Sequence, residues 1–224
     1  MATSGTYDFS LDIDEVIEEA MEMIGGEQTL GHEPKSARRS INLLLQDWQN
    51  RGILLWTADT TTVSVSTSVT AYSLPDSTID VTEAVLGRDN TDLQIERITM
   101  EEYLKIPRKG QKGRPSQYAI RRGRDNETVF LWPVPENTTD LLKLEHIKYT
   151  EDVNKSAGQT ADISRRFIPC LTAGLAYFMS MKRPGVNPAR IQVLNQEYEN
   201  RLERAMHEDR ERASAYFLPK MNRV

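Results

Sequence analysis

The sequence predicts an α+β protein in which N- and C-terminal helices form a four-helix bundle and an antiparallel β-sandwich or β-barrel is inserted between them. Before residue 56 and after residue 159, apolar residues recur every three or four positions, which is the spacing of one helix face. Between residues 57 and 150 the apolar period falls to two and β-branched residues are frequent, as in strands. Because a helix with one apolar face must bury it on another element, we expect the four long helices to pack together.

The predicted N-terminal helices occupy residues 1–56. Asp12 and Glu15 have the spacing of a capping box, and an apolar face follows until the glycine pair at 25–26. Pro34 suits the first turn of a second helix. The apolar face of that helix consists of Ala37, Ile41, Leu44, Leu45 and Trp48.

The predicted β-rich domain occupies residues 57–150. Alternating apolar and polar residues predict its strands, which are residues 61–66, 69–74, 81–86, 93–98, 117–121, 128–132 and 141–149. The first two are expected to form a hairpin, and the turn Asp89-Asn90 joins the next two. Thr99 and Glu102 predict a second capping box, which begins a short helix.

The predicted C-terminal helices occupy residues 159–212, and an extended tail occupies residues 213–224. Pro169 is tolerable only in the first turn of the third long helix, whose single apolar face consists of Phe167, Leu171, Leu175, Phe178 and Met179. Asn187 followed by proline begins the fourth helix. Its apolar residues have spacings of three and four and are Ile191, Leu194, Tyr198, Leu202 and Ala205.

The composition is that of a soluble globular protein. The 224 residues are 38% apolar and 27% charged, and no apolar run approaches the roughly 20 residues that span a bilayer. The N-terminus lacks the basic and apolar segments of a signal peptide, so we expect synthesis in the cytoplasm and no membrane contact. The single cysteine, Cys170, lies in an apolar stretch and is interpreted as a small buried hydrophobic residue.

Charge is unevenly distributed along a chain whose net charge is -5. Residues 1–33 contain nine Asp or Glu and no Lys or Arg, whereas residues 105–124 contain eight Lys or Arg and no Asp or Glu. An acidic end and a basic middle can attract another copy of the chain, or present opposite signs to different partners.

The basic segment is a candidate functional site. Its cations lie in and around a predicted glycine-rich loop and are Lys105, Arg108, Lys109, Lys112, Arg114, Arg121, Arg122 and Arg124. Three interpretations stay open: a solvated loop, a contact with an acidic protein surface, and proximity to a nucleic-acid duplex, where cations contact phosphates. Only Tyr103 and Tyr118 are close enough to add aromatic stacking, which argues against a platform for single strands.

The C-terminal tail is the second candidate site. Tyr216, Phe217 and Leu218 are adjacent large apolar residues outside any helical face. They either fold back onto their own domain or dock in a groove of a partner, where aromatic side chains are good anchors.

No residue pattern indicates catalysis, a cofactor or a metal. The glycines of residues 26–31 have the spacing of a phosphate-binding loop, but His32 and Glu33 stand where Lys and Ser or Thr are needed. The acidic cluster of residues 12–22 lacks the central glycine and final glutamate of a calcium loop. It is interpreted as a solvated helix face, with a face that meets a basic partner as the alternative. His146 is expected to be structural, because none of the three histidines has metal-ligand spacing: His32, His146 and His207.

Five strings of residues stand in an order and spacing that are specific as a set. They are Leu54-Leu55-Trp56, Tyr72-Ser73-Leu74-Pro75, Gly113-Arg114-Pro115-Ser116-Gln117-Tyr118, Leu131-Trp132-Pro133-Val134-Pro135, and the stretch from Tyr198 to Ala205. With these strings the chain resembles, over nearly its whole length, the head-to-tail adaptor proteins of short-tailed bacteriophages, also called tail tubular protein A.

The resemblance implies a non-enzymatic virion protein without catalytic, cofactor or metal-binding residues. Proteins of that family assemble as a twelvefold ring around the DNA exit channel, with the helical domain towards the portal and the β-rich domain towards the tail nozzle. The implied partners are the portal protein, the tail nozzle protein, neighbouring copies, and DNA that passes without sequence-specific binding. The C-terminal segment of family members extends along or into the portal. Here that segment is residues 216–224, and its portal-binding residues would be Tyr216, Phe217, Leu218, Pro219 and Arg223.

Two other functions stay open from the residues alone. A nucleic-acid-binding module would use the basic segment of residues 105–124 and would bind duplex in a salt-sensitive way. A tail hydrolase would need a paired-carboxylate or zinc site, whose activity a zymogram would detect.

Overall fold

The computed structural model describes residues 10–25, 33–53, 57–124, 126–154 and 158–208. Its helices are α1 (Ile13–Ile24), α2 (Glu33–Asn50), α3 (Met100–Lys105), α4 (Ile168–Lys182) and α5 (Pro188–Glu208). Its strands are β1 (Ala58–Ser64), β2 (Ala71–Ser73), β3 (Thr78–Arg88), β4 (Thr91–Gln94), β5 (Glu96–Ile98), β6 (Lys112–Gly113), β7 (Gln117–Arg121), β8 (Thr128–Trp132), β9 (Val134–Pro135) and β10 (Leu141–Lys148). The predicted α+β class is therefore confirmed.

The chain divides into two compact units. The helical unit comprises residues 1–47 and 152–224, and the β unit comprises residues 48–151. The two ends of the β unit contact each other, because the Gln49 side-chain Nε2 donates to the Thr150 hydroxyl at 2.7 Å.

The start of α1 is fixed by the predicted capping box. The Glu15 N–H donates to Asp12 Oδ1 at 2.8 Å, and the Asp12 N–H donates to Glu15 Oε2 at 3.0 Å. These bonds satisfy main-chain donors that a helix start leaves free. The helix ends at Gly25, whose φ of +86° is the left-handed conformation that glycine adopts at low cost.

Helix α4 has contacts with the three other long helices. It packs on α1 and α5, and it reaches α2 through the Ser40 hydroxyl, which lies 3.6 Å from Met179 Sδ. Every residue from Cys170 to Ala176 is buried, so the prediction of a single apolar face on this helix is wrong. The predicted position of Pro169 in the first turn is confirmed.

Helix α5 begins as predicted, since the Ala189 N–H donates to the Asn187 side-chain oxygen at 2.9 Å. Its buried residues are Leu194, Tyr198, Leu202 and Ala205, whereas Ile191 is only half-buried. The predicted helical face is confirmed apart from that one position.

The β unit contains two four-stranded sheets and one strand pair. The first sheet has the strand order β1-β10-β3-β4 and the second the order β2-β8-β7-β5, while β6 pairs with β9. The first sheet is antiparallel throughout. Both sheets contribute to one apolar core, whose buried members are Val65, Tyr72, Leu74, Val81, Ala84, Leu86, Ile95, Tyr118, Val129, Leu131, Leu142 and Leu144.

Three predictions about the strands are wrong. Strands β1 and β2 belong to different sheets and form no hairpin. The predicted strand 93–98 is divided at Ile95 between the two sheets. The β unit is not purely antiparallel, because β5 pairs in parallel with β7 and β6 pairs in parallel with β9. Neither sheet closes into a barrel in the part of the chain that the structure describes.

Candidate interaction surface

Two strings that carry the resemblance contact each other in the β unit. Strand β6 contains Gly113, which begins one string, and it pairs with β9, which ends the string Leu131-Trp132-Pro133-Val134-Pro135. The Trp132 indole N–H donates to the Arg108 carbonyl at 3.3 Å, and the Ser116 N–H donates to the Trp132 carbonyl at 3.1 Å. Both ends of the segment 108–116 are therefore hydrogen-bonded to Trp132.

Tyr72, from the string Tyr72-Ser73-Leu74-Pro75, fixes a turn that contacts Pro135. Its hydroxyl accepts from the Ser66 N–H at 3.0 Å and donates to the Val69 carbonyl at 3.2 Å. The Ser68 N–H in turn donates to the Pro135 carbonyl at 3.2 Å. The polar groups of Tyr72 and Trp132 thus hold turns and strand ends in place.

A buried carboxylate, Asp140, is neutralised by Arg88. The guanidinium donates from Nε to Oδ1 at 2.6 Å and from Nη2 to Oδ2 at 2.8 Å, and the Asp140 side chain is only 1% exposed. These hydrogen bonds hold the pKa of Asp140 below its usual value against the opposing effect of burial, and the charge of Arg114 acts in the same direction as Arg88. Arg114, one of the predicted basic residues, therefore acts on a charge inside the β unit.

Sequence reasoning missed this ion pair. Arg88 and Asp140 are 52 positions apart, and each stands beside a turn, where charged residues are usually solvated. One sequence carries no signal that pairs such distant positions.

Three further cations of the basic segment contact their own chain. Lys109 Nζ donates to two carbonyls at the C-terminal end of α3, at 2.7 and 3.1 Å, where a positive charge is favourable. The Arg121 guanidinium lies 4.9 Å from the ring centroid of Phe130, and Arg122 Nη2 lies 2.8 Å from an Asp80 carboxylate oxygen. These contacts reduce the charge that the segment offers to a partner.

A smaller basic surface remains exposed. Lys105, Arg108 and Lys112 are exposed, and so is Arg124, which has a contact of its own within the chain. Leu104, beside Lys105 in α3, is 59% exposed. We call Leu104, Lys105, Arg108 and Lys112 the basic patch; it combines positive charge with one large apolar side chain.

Helix α1 presents the opposite charge. One of its faces is buried, and the other carries exposed carboxylates, which we call the acidic face: Asp14, Glu15, Glu18, Glu19 and Glu22. Asp14 forms an ion pair with Arg38 of α2. The interpretation of this cluster as a solvated helix face agrees with its exposure.

The cysteine and one histidine occupy structural positions. Cys170 is buried, its thiol lies 3.1 Å from the Phe167 carbonyl, and burial raises its pKa to about 12; a thiol that stays protonated is a poor nucleophile. Buried His146 places Nε2 2.8 Å from the Thr61 hydroxyl oxygen, and burial lowers its pKa. Among the described residues, no group of three His, Cys, Asp or Glu side chains is placed to hold a metal.

Three sequence predictions lie outside the described residues: the string Leu54-Leu55-Trp56, the glycine-rich segment 26–31 with His32, and the tail residues Tyr216, Phe217, Leu218, Pro219 and Arg223. None of the helices within the described ranges has the length and apolar character to cross a bilayer.

The motif residues of the β unit fix turns and strand pairs. The helical unit carries the exposed acidic face, and the β unit carries the basic patch. This arrangement is typical of a structural protein that works through its surfaces. Residues 11–221 match the SU10 adaptor protein family, and the chain belongs to that family of bacteriophage adaptors. A comparison with curated proteins found no match.

Membership of this family confirms the phage adaptor that the resemblance implied. The protein is a structural component of the virion, and its partners are other proteins of the phage head or tail.

Proposed function

We propose that the chain is a head-to-tail adaptor of the tail tubular protein A type, which forms a twelvefold ring around the DNA exit channel between portal and tail nozzle. The observation that carries this proposal is the family match over residues 11–221, because it includes both units. In the ring, the helical bundle of residues 1–56 and 159–212 faces the portal. The β-rich domain of residues 57–150 faces the nozzle.

Neighbouring copies contact each other through unlike surfaces in this proposal. A closed ring needs a heterologous interface, in which two different patches meet and the rotation closes. The acidic face of one copy and the basic patch of the next have opposite charge, which favours correct encounter and orientation. Leu104 adds an apolar anchor to the basic patch.

DNA passes through the ring without being held. Strong attraction to phosphates would slow its passage, and the net charge of -5 makes the protein as a whole a weak DNA ligand. The alternative of a nucleic-acid-binding module loses support because cations of the basic segment are engaged in their own chain: Lys109, Arg121 and Arg122.

The C-terminal tail, residues 213–224, binds the portal in this proposal. We expect deletion of residues 216–224 to weaken binding to purified portal by at least roughly 30-fold, because the deletion removes the aromatic anchors Tyr216 and Phe217. The measurement is a binding titration of the full-length and shortened proteins, with thermal unfolding to verify that the fold survives. Asn222→Ala, which changes the tail outside the docking residues, is the matched control.

Equal portal affinity of the shortened and full-length proteins would show that the tail is not the docking element. Electron microscopy of the adaptor mixed with its portal tests the assembly itself. A twelvefold ring on the portal is expected, and a portal that stays bare at saturating adaptor would refute the proposed function.

A further inference from the structure

The first sheet of the β unit has two open edges. Its order β1-β10-β3-β4 leaves β1 and β4 each paired on one side only within the described part of the chain. An edge strand offers unpaired N–H and C=O groups to other chains, and natural proteins usually block such edges with Lys, Pro or a bulge. Neither Ala58–Ser64 nor Thr91–Gln94 contains Lys or Pro, so neither edge is blocked by one of these residues.

A row of four apolar residues crosses this sheet from edge to edge. Val63 of β1 lies opposite Leu142 of β10, which lies opposite Leu86 of β3. Leu86 lies opposite Leu93 of β4. Directly opposite residues share a face of the sheet, so Leu93 lies on the core side. Leu142 and Leu86 are fully buried, whereas Leu93 is 44% exposed, because none of the described strands lies beyond β4.

On both edges, the residues next to the apolar row direct their main-chain N–H and C=O groups away from the sheet. The Val65 N–H donates to the Asp140 carbonyl next to β10 at 3.4 Å, and the Ile95 N–H donates to the Ala84 carbonyl of β3 at 3.1 Å. Main-chain groups of successive residues in an antiparallel pair alternate in direction. The groups that point away from the sheet are therefore those of Thr62, Ser64, Asp92 and Gln94.

We propose that β4 of one copy pairs antiparallel with β1 of the next copy, with Leu93 opposite the next copy's Val63. The antiparallel direction follows from the alternation of strands across the sheet, because β1 and β4 run in opposite directions. The proposal rests on the proposed ring and names the strands that join its copies. The apolar row then continues from copy to copy, and Leu93 is covered.

The same register matches the polar groups. Leu93 and Val63 become a non-hydrogen-bonded pair, in which side chains approach most closely. The flanking residues become hydrogen-bonded pairs on the outer face: Asp92 with Ser64, and Gln94 with Thr62. A Ser hydroxyl can donate to the Asp carboxylate, and the Gln amide can donate to the Thr hydroxyl.

The dimensions agree with a ring. Strands lie about 4.8 Å apart, so a four-stranded sheet contributes roughly 19 Å and twelve copies give a circumference of roughly 230 Å, or a radius of roughly 37 Å. That radius leaves room for an axial channel. The two edges differ, so their pairing is head-to-tail and can close.

A designed disulfide tests the pairing. The double variant Val63→Cys/Leu93→Cys places its thiols three strand spacings apart in one copy, about 14 Å, which exceeds the roughly 7 Å limit between Cα atoms for a disulfide. Oxidation of the full chain assembled on portal should therefore link different copies and give a ladder of multimers on a non-reducing gel. The matched control is Thr61→Cys/Leu93→Cys. Position 61 is on the same face of β1 as position 63 but two residues away from the one opposite Leu93, so this variant should give little linkage.

A second variant tests the pairing without new thiols. Thr62→Pro removes a main-chain N–H that points away from its own sheet, and proline is tolerated on edge strands. It should abolish ring closure on the portal while the thermal midpoint of the free protein changes little.

Rings that form without a disulfide ladder, equal linkage by the control pair, or normal rings from Thr62→Pro would each overturn the strand pairing and leave the proposed function intact. If the wild-type protein forms no ring on the portal, both proposals are overturned.

Discussion

Asp140 is a carboxylate that the fold removes almost completely from water. Burial of an unpaired charge is costly, and the two charge-assisted hydrogen bonds from Arg88 offset that cost. The pair joins the end of β3 to the residue before β10. A single side chain thus holds together strand ends that are distant in sequence.

We expect Asp140→Asn to lower the free energy of unfolding by about 2 kcal/mol at pH 7, because the amide cannot form the charged pair with Arg88. The pKa of Asp140 is depressed in the fold, so the stabilisation is complete above the ordinary Asp pKa and is lost as the pH falls through the depressed value. The difference between variant and wild type should therefore shrink below about pH 4. Urea titrations at neutral and acidic pH measure it.

Asp92→Asn is the control for this prediction. Asp92 accepts from Lys143 Nζ at 2.8 Å, but both side chains are largely exposed, and exposed pairs contribute less than about 1 kcal/mol. Equal losses in the two variants would contradict the importance of burial at Asp140.

At the scale of elements, α4 depends on one close approach. A Cβ atom added at Gly174 would lie 2.8 Å from Leu44 Cδ2 and 2.9 Å from Tyr198 Cε2. Although alanine favours helices, we expect Gly174→Ala to reduce stability by about 1–3 kcal/mol through overpacking against α2 and α5. Thermal unfolding measures the loss. At Gly110 an added Cβ would meet no atom within 4 Å apart from those of its chain neighbours, so Gly110→Ala should leave the midpoint nearly unchanged. A stabilised Gly174→Ala protein would refute the close packing.

The elements that depend on nearby residues could be predicted from the sequence. The capping box of Thr99 and Glu102 and the cap at Asn187 are present, because each involves residues only a few positions apart. Strand partners could not be predicted in this way. The alternation in β1 indicates a strand but not that its neighbour is β10, and nothing local identifies Ile95 as the residue where the chain changes sheets.

The same distinction applies to the candidate surface. The charge of the basic segment was visible in the sequence. Lys105, Arg108 and Lys112 are exposed, and so are Arg121, Arg122 and Arg124, which have contacts within the chain. The contacts of Arg121 with Phe130 and of Arg122 with Asp80 depend on strand pairing, which only the folded chain provides. Sequence alone therefore overestimates the charge that is available to a partner.

At the scale of the whole molecule, the separation of charge between the units predicts how copies recognise each other. We expect Lys105→Glu/Lys112→Glu to reduce ring yield on the portal by roughly tenfold at physiological salt, because the acidic face of the neighbour would meet like charge. Electron microscopy of adaptor–portal mixtures measures the yield. Lys35→Glu, at an exposed position on α2, changes charge elsewhere and should assemble normally.

A reciprocal change separates specific contact from general loss of charge. Adding Glu18→Lys/Glu22→Lys to the same chain restores opposite signs across the interface and should recover rings. Failure of this rescue, with normal folding of the quadruple variant, would exclude the contact between the acidic face and the basic patch.

The contact between Gln49 and Thr150 has a consequence for how such chains can diversify. The β unit begins and ends at positions that contact each other. A different domain with equally close ends could therefore replace it without changing the path of the chain in the helical unit. A virus could thereby exchange the β unit as one segment while the helical unit is retained.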